Sequence, residues 1–288
     1  MVRSSASSVA YWIKERESIR RLHDSGAPRP WTKDEVLGTY RFCNVRREDD
    51  KVTRWIKKNW RDPYANHPNL TVAMVLARLL NWPPTLDAIG FPTQPWDKHL
   101  EEYYIRVIQD LMHVSKTWGS AYVVTTCGKP MDKAVYAVQN VCGGVAYACI
   151  APRPGDTLRT FWEGLRLVDG LGAGFLAAQV VADLKYVEGN PLASAEDWWT
   201  FAVPGPGSRR GINRYYGRDA NAPLSDEQWG REFRAMILEV TPLIPRHIGN
   251  IHAQDWQNVM CEWDKYQRTW ENEGRPKRRY SPETAYDV

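Results

Sequence analysis

The chain has 288 residues, 43% of them hydrophobic and 25% charged, so it can bury a sizeable core as one large domain or two, and a disordered chain is excluded. A formal net charge of +4 is too small to name a partner, which has to be sought in local charge clusters. Five cysteines, an odd number with no Cys-x-x-Cys pair, fit neither a disulfide framework nor a zinc site; they point to reduced thiols and a cytoplasmic setting, and no apolar stretch approaches the ~18–20 residues of a membrane span.

In chain order the pattern is helices separated by Pro/Gly punctuation, with few or no strands. Residues 1–30 read as an N-terminal helical segment. From Asp50 to Arg61, Val52, Trp55, Ile56 and Trp60 recur at helical spacing while Lys51, Arg54, Lys57, Lys58 and Arg61 fill the other faces, which predicts a helix with a basic outer surface. Leu70 to Trp82 is apolar nearly all round and reads as a buried core helix stopped by Pro83-Pro84. Another helix is expected from Leu100 to Val114. Ala121 to Thr126 reads either as a short strand or as the start of a helix. Further helices are expected at 157–168, 173–186, 227–240 and 253–271, the last with Trp256, Val259, Met260, Trp263, Tyr266 and Trp270 on one stripe.

Four segments carry chemistry. In Leu167-Val168-Asp169-Gly170-Leu171-Gly172-Ala173-Gly174 a helix runs into a glycine hairpin and a second helix opens with small residues. There, backbone N–H groups can approach a phosphate unobstructed and the helix dipole favours the anion; the alternative is two core helices joined by a tight turn. The second segment, Gly205-Pro206-Gly207-Ser208-Arg209-Arg210-Gly211, is followed by Asn213, Arg214 and Arg218, with no acidic residue from Phe201 through Arg218. It reads as a Gly/Arg turn that binds an anion, or as a solvated basic loop. The third, Arg41-Phe42-Cys43-Asn44-Val45-Arg46-Arg47, offers arginines for phosphate and Asn44 for a base edge or amide; the alternative is a charged helix N-terminus. The fourth, Cys261-Glu262-Trp263-Asp264-Lys265-Tyr266, is followed by Gly274-Arg275-Pro276 and reads either as an acid–base group or as structural ion pairs. His247 and His252 do not share a helix face, so no metal-ligand cluster is visible.

Tyr40-Arg41-Phe42-Cys43-Asn44-Val45 with Arg47, Asp50, Val52 and Thr53, the run Ala177 to Leu184, the Gly205–Gly211 segment, and Cys261–Tyr266 through Gly274-Arg275-Pro276 together resemble the phage DNA base hypermodification family. These proteins are also called amino acid:DNA transferases, or alpha-glutamyl/putrescinyl thymine pyrophosphorylases. The matched stretches run in order from about residue 15 to about 280. The resemblance implies a helical DNA glycosylase-like (helix-hairpin-helix) architecture, with a transferase domain over 31–280, which two lobes with a cleft between them would also satisfy, and a tail over 281–288. It also implies a substrate derived from 5-hydroxymethyluracil in phage DNA. A separate kinase would phosphorylate the 5-hydroxymethyl group, and the transferase would replace the (pyro)phosphate with an amino acid or polyamine.

The implied partners are therefore double-stranded DNA carrying modified thymine, an amino acid or polyamine donor and the 5-hydroxymethyluracil DNA kinase, in the host cytoplasm and without a membrane. No cofactor is required; a divalent metal is conceivable, but no ligand motif supports one. Gly128-Lys129 lacks the spacing and the Ser/Thr of a P-loop, and Gly174 stands where bifunctional helix-hairpin-helix glycosylases usually carry a lysine. Transfer needs positive charge on the leaving oxygens, for which Arg209 and Arg210 are the first candidates, with Arg41 and Arg47 as helpers. It also needs a base for the amine or a clamp for its ammonium, for which Asp183 is preferred over Asp255 and Asp264. Asn44, Asp50, Gly170, Gly172, Gly174, Gly205, Gly207, Ser208, Asn213, Lys265 and Arg275 complete the expected DNA and substrate contacts. A glycosylase that excises a base and a non-catalytic reader of modified DNA are the alternatives.

Overall fold

The computed structural model describes residues 5–122, 124–276 and 278–280. Its helices are α1 (Ser5–Asp24), α2 (Glu35–Thr39), α3 (Lys51–Ile56), α4 (Leu70–Leu80), α5 (Pro83–Ile89), α6 (Lys98–Val114), α7 (Lys133–Val135), α8 (Gly143–Tyr147), α9 (Leu158–Leu165), α10 (Phe175–Leu184), α11 (Pro206–Tyr215), α12 (Asp226–Val240) and α13 (Ala253–Trp270). Among the described residues no strand forms, and an isolated antiparallel bridge joins Tyr40 to Arg279. The protein is thus mainly α. Residue 123, within the segment read as strand or helix start, and the tail over 281–288 lie outside the described residues; the neighbours of residue 123 form no regular element.

The chain divides into two compact units, one of residues 1–50 and 202–288 and the other of residues 51–201. In the first, α1 buries Val9, Trp12, Ile13 and Ile19, a stripe at helical spacing, in the same core as Phe233 and Met236 of α12 and Trp256, Val259 and Met260 of α13. Burying each such large apolar side chain is worth about 1.5–3 kcal/mol. Asp34 caps α2 by accepting from the Leu37 N–H at 2.8 Å, and Ser225 caps α12 by accepting from Gln228 N–H at 3.1 Å.

The Gly/Arg segment departs from its expected form, because Gly205–Gly211 is the first turns of α11 and not a turn between helices. Pro206 sits in the first helical turn, where its missing N–H costs nothing, and Ser208 Oγ accepts from the Gly205 N–H at 3.0 Å. Gly207 and Gly211, four apart on one face, lie against α13: a Cβ on Gly207 would run into Cys261 Sγ, and one on Gly211 into the Met260 carbonyl oxygen. These glycines permit close helix–helix approach.

In the second unit α4 is buried over its whole length and ends at Asn81 in the left-handed conformation (φ 45°). Pro83 and Pro84 do not terminate it; they open α5, occupying the first turn where proline is tolerated. The helix expected over 50–61 forms as α3 followed by a π-helical turn, Lys57–Arg61. A helical stretch from Lys133 to Tyr147, formed by α7, a π-helical segment over Tyr136–Cys142 and α8, was not legible from the sequence. Its Gly143-Gly144 pair looks like a break. Both glycines are instead covered by neighbours, Gly144 so closely that a Cβ would meet Val168 Cγ1 at 2.8 Å.

Candidate functional site

In the first unit, the segment from Tyr40 to Asp50 lies on α1 and α13 and collects much of the polar chemistry. Arg16 of α1, almost fully buried, organises it: Nε donates to the carbonyls of Phe42 (3.2 Å) and Cys43 (3.1 Å), and Nη2 to Asn44 Oδ1 (2.6 Å). The Asn44 N–H donates to Asp50 Oδ1 at 2.9 Å and its amide to the Asp49 carbonyl at 2.9 Å. From α13, Glu262 accepts from the Cys43 N–H at 2.9 Å and pairs with Lys265 at 2.6 Å, while the Lys265 ammonium stands 4.9 Å from the Phe42 ring centre. Burial works against the Lys265 charge, but the adjacent Glu262 carboxylate outweighs it and raises the pKa. Burial drives Asp50 up to about 7 against the Asn44 N–H and the Arg16 charge, with Glu262 adding to the rise.

Other expected site residues are engaged in holding the fold. Asp255 is buried, accepting from the Arg47 N–H at 3.0 Å and lying 2.9 Å from His252 Nε2, so it anchors the buried Arg47 and the start of α13. Asp264, with no exposed surface, is gripped by Arg210 and Arg214 at 2.9 Å each and by Arg268 at 3.5 Å, a clamp between α11 and α13. Arg209 pairs with Asp226 and donates to the Leu224 carbonyl. The two arginines expected to hold the leaving anion are thus paired, because their segment is a helix facing acidic neighbours. Asn213 uses its amide on the carbonyls of Ala220 (3.2 Å) and Ala222 (2.9 Å), fixing the loop after α11. Arg41 lies over Tyr280, with its guanidinium 6.0 Å from the ring centre, and Arg275 is exposed.

Sequence reasoning missed Arg16 and the anchoring role of Glu262. A buried arginine on an apolar helix face was the available signal for the first.

In the second unit the glycine hairpin joins α9 to α10 as a helix–turn–helix. Gly170 (φ 85°) and Gly174 (φ 81°) adopt the left-handed conformation, and Trp162 Nε1 donates to the Gly174 carbonyl at 2.8 Å. Gly172 has an ordinary φ, and a Cβ there would make only van der Waals contact at 3.6 Å. Asp183, preferred above as the base, has no exposed surface and accepts from Arg78 Nε at 2.6 Å and Nη2 at 2.5 Å. Buried and doubly bonded to one guanidinium, it ties α4 to α10 and is not placed to collect a proton from an amine. Beside the hairpin lies a cavity of about 580 Å³.

Among the described residues no group of three His, Cys, Asp or Glu side chains is placed to hold a metal ion, and no helix is long and apolar enough to cross a membrane. Comparison with known proteins decides the family: the model described as "5-hmdU DNA kinase, helical domain" matches residues 3–275. The chain belongs to this family. A 5-hmdU DNA kinase of Bacillus phage SP10 is 27% identical over 220 residues, covering 69% of this chain and 34% of that protein. The chain spans about a third of that relative's length. No solved structure matches. The family drawn from the motifs is supported as far as phage thymine hypermodification, and the relative found is a kinase of 5-hmdU DNA.

Proposed function

We propose that this chain acts on 5-hydroxymethyluracil-bearing DNA and replaces the (pyro)phosphate on the 5-methylene carbon with an amino acid or polyamine. The observation that carries the reading is the cluster itself, in which Asp50 accepts from the Asn44 N–H at 2.9 Å beside Glu262, which pairs with Lys265 at 2.6 Å, and in which burial pushes the Asp50 carboxyl up. In the proposed step the amine nitrogen bonds to the methylene carbon as the carbon–oxygen bond to the leaving group breaks. The leaving oxygen departs with the electron pair as (pyro)phosphate, and Asp50 takes the proton from the nitrogen. The Lys265 ammonium, kept charged by Glu262, supplies positive charge for the departing anion.

The test incubates the protein with 5-hydroxymethyluracil DNA, the 5-hmdU DNA kinase, ATP and a pool of amino acids and polyamines, and identifies the nucleosides by mass spectrometry. An aminated nucleoside is expected; phosphorylated nucleoside left unchanged with every donor would defeat the transferase reading. Asp50→Asn should lower kcat by about 10²-fold or more with little change in KM, and the wild-type rate should rise with pH through about 7.

The family description favours a second reading, in which the chain is a substrate-presenting domain for a kinase. In the same assay it would bind 5-hydroxymethyluracil DNA, enhance phosphorylation and leave no amine on the product.

Asp50 also sets a pH dependence of stability. Folding raises its pKa from 3.8 to about 7, so the folded chain holds the proton more tightly; the resulting stabilisation is full below the unfolded value and is lost as pH rises towards 7. Carboxyl NMR titration should place the Asp50 midpoint near 7, moving down in Glu262→Gln and up in Arg16→Gln, since Glu262 raises and Arg16 lowers it.

A further inference from the structure

We propose that the pocket where α1, the start of α2 and the end of α13 meet is a binding site for an organic dication, a diamine or longer polyamine. The proposal rests on the reading that this chain transfers an amine donor to DNA; of the two donor classes it selects the polyamine and names where it is held. All the residues concerned belong to the first unit. The cavity, about 490 Å³, is lined by Tyr11 and Glu15 of α1, by Lys33, Asp34 and Glu35 around the start of α2, and by Trp270, the last residue of α13. Its volume falls in the ordinary range for small-molecule sites, ~300–1,000 Å³.

Charge selects the ligand. Three carboxylates against one ammonium give the lining a net charge of −2. Asp34, only 9% exposed, accepts through Oδ1 from the Leu37 N–H at 2.8 Å and through Oδ2 from Tyr11 OH at 3.1 Å and Tyr266 OH at 2.7 Å. This acceptor-only pattern is that of a carboxylate. A buried carboxylate ordinarily has a cationic partner, and among the described residues Asp34 has none. Glu15 accepts from Thr32 Oγ1 at 2.7 Å and Glu35 is exposed; neither forms an ion pair among the described residues. Nor do the three carboxylates converge as ligands of one metal ion must, since no group of three His, Cys, Asp or Glu side chains among the described residues is so placed. Negative charge spread along a pocket is matched by a cation with two separated charges. An α-amino acid brings a carboxylate of its own, which Lys33 alone would meet.

Trp270 supplies the apolar wall. It is 60% exposed, although tryptophan ordinarily buries most of its surface, and its ring stacks on Tyr266 at 28° and 6.3 Å between centres. An indole face is the best aromatic partner for an ammonium, and its area covers a methylene chain. A pair of rings links the pocket to the Asp50 cluster: Tyr266, which holds Asp34, packs edge-on to Phe42 at 6.3 Å, and the Lys265 ammonium stands 4.9 Å from the centre of that same Phe42 ring. Along α13, Trp270 lies five residues beyond Lys265, ~7.5 Å on the helix axis. A carbon chain with an amine at each end bridges such a gap. The pocket holds one ammonium, and the other nitrogen gives its proton to Asp50 and attacks.

Calorimetry on the full chain measures binding of 1,4-diaminobutane, 1-aminobutane, glycine, glutamate and MgCl₂, with the variants Glu15→Gln and Trp270→Leu. The diamine should bind, and 1-aminobutane and both amino acids at least about tenfold more weakly. Equimolar Mg²⁺ should leave the diamine affinity within about twofold, because the carboxylates do not form its octahedral site. Glu15→Gln should weaken the diamine about tenfold and Trp270→Leu about threefold, both with the melting temperature of the wild type. No binding of the diamine, equal binding of 1-aminobutane, displacement by Mg²⁺, or undiminished binding by either variant would each overturn the assignment. The DNA modification assay, run in parallel, separates this proposal from the one on which it rests. There Glu15→Gln should raise KM for the diamine with little change in kcat. If amino acids are transferred and polyamines are not, or if Glu15→Gln leaves that KM unchanged, the pocket is wrong and the transferase reading stands. If the diamine binds as expected but no donor is ever transferred, the pocket stands and the transferase reading falls.

Discussion

Two glycine-rich segments that look alike in the sequence, 170–174 in the second unit and 205–211 in the first, serve different ends. In α11 the glycines keep ordinary helical geometry and are demanded from outside, because Met260 and Cys261 of α13 occupy the space a side chain would take. In the hairpin Gly170 and Gly174 are demanded twice over, by left-handed backbone angles that α11 lacks and by the Val141 and Trp162 side chains that a Cβ would strike, and Gly172 by neither cause. The difference teaches that glycine beside arginine does not mark an anion site until it is known what a Cβ would meet. In α11 the answer is another helix, and the adjacent arginines are paired with Asp226 and Asp264.

The comparison breaks most sharply at Gly211. Gly211→Ala would push a methyl group into a backbone carbonyl that cannot turn aside, and parting α11 from α13 should cost about 3 kcal/mol. Urea unfolding would show it; a loss under about 0.5 kcal/mol would mean that the two helices are not held at this distance. Next comes Gly174→Ala, where φ of 81° and the Trp162 ring both oppose a side chain, for about 2 kcal/mol. Here the loss should persist when Trp162 is trimmed to Leu, since the backbone angle supplies much of it. A loss that vanished with the indole would put the hairpin in the same class as α11.

The stripe of Trp256, Val259, Met260, Trp263 and Tyr266 announced α13 because a 3.6-residue period is a local property. The Tyr40–Asp50 segment was legible as a cluster, but its organiser was not: Arg16 lies 26 or more residues upstream of its partners, on a helix whose other buried residues are mostly apolar. Asp183 could be placed on a helix, whereas the Arg78 opposite it, 105 residues away in sequence, is visible only after folding. The Gly/Arg segment was misread for the same reason, since whether Gly207 faces water or Cys261 is decided by a helix some fifty positions later.

A smaller effect runs in the opposite direction. Cys149 follows the end of α8 with φ of 51°, the position where helices commonly place glycine. Cys149→Gly should therefore raise stability by about 1 kcal/mol, read as a higher Tm. An unchanged or lower Tm would mean that the thiol makes contacts that offset the strain.

Gly172 gives the smallest change in stability and the most direct test of the hairpin. Its φ is unexceptional and a Cβ would sit at 3.6 Å from the Arg166 carbonyl oxygen, so Gly172→Ala should fold with a stability within about 0.5 kcal/mol of wild type. Packing gives no reason for glycine here, and close approach of a phosphate to the backbone would give one. If the hairpin grips DNA, Gly172→Ala should weaken binding several-fold and make its dependence on salt shallower, because a phosphate contact is lost along with the counterions its formation releases. Filter binding of duplex DNA over a range of salt concentrations distinguishes the cases. Equal affinity and equal slope would leave the hairpin as a turn between two helices, with Gly170 and Gly174 explained by φ and by the side chains packed over them, and the DNA contacts to be sought elsewhere.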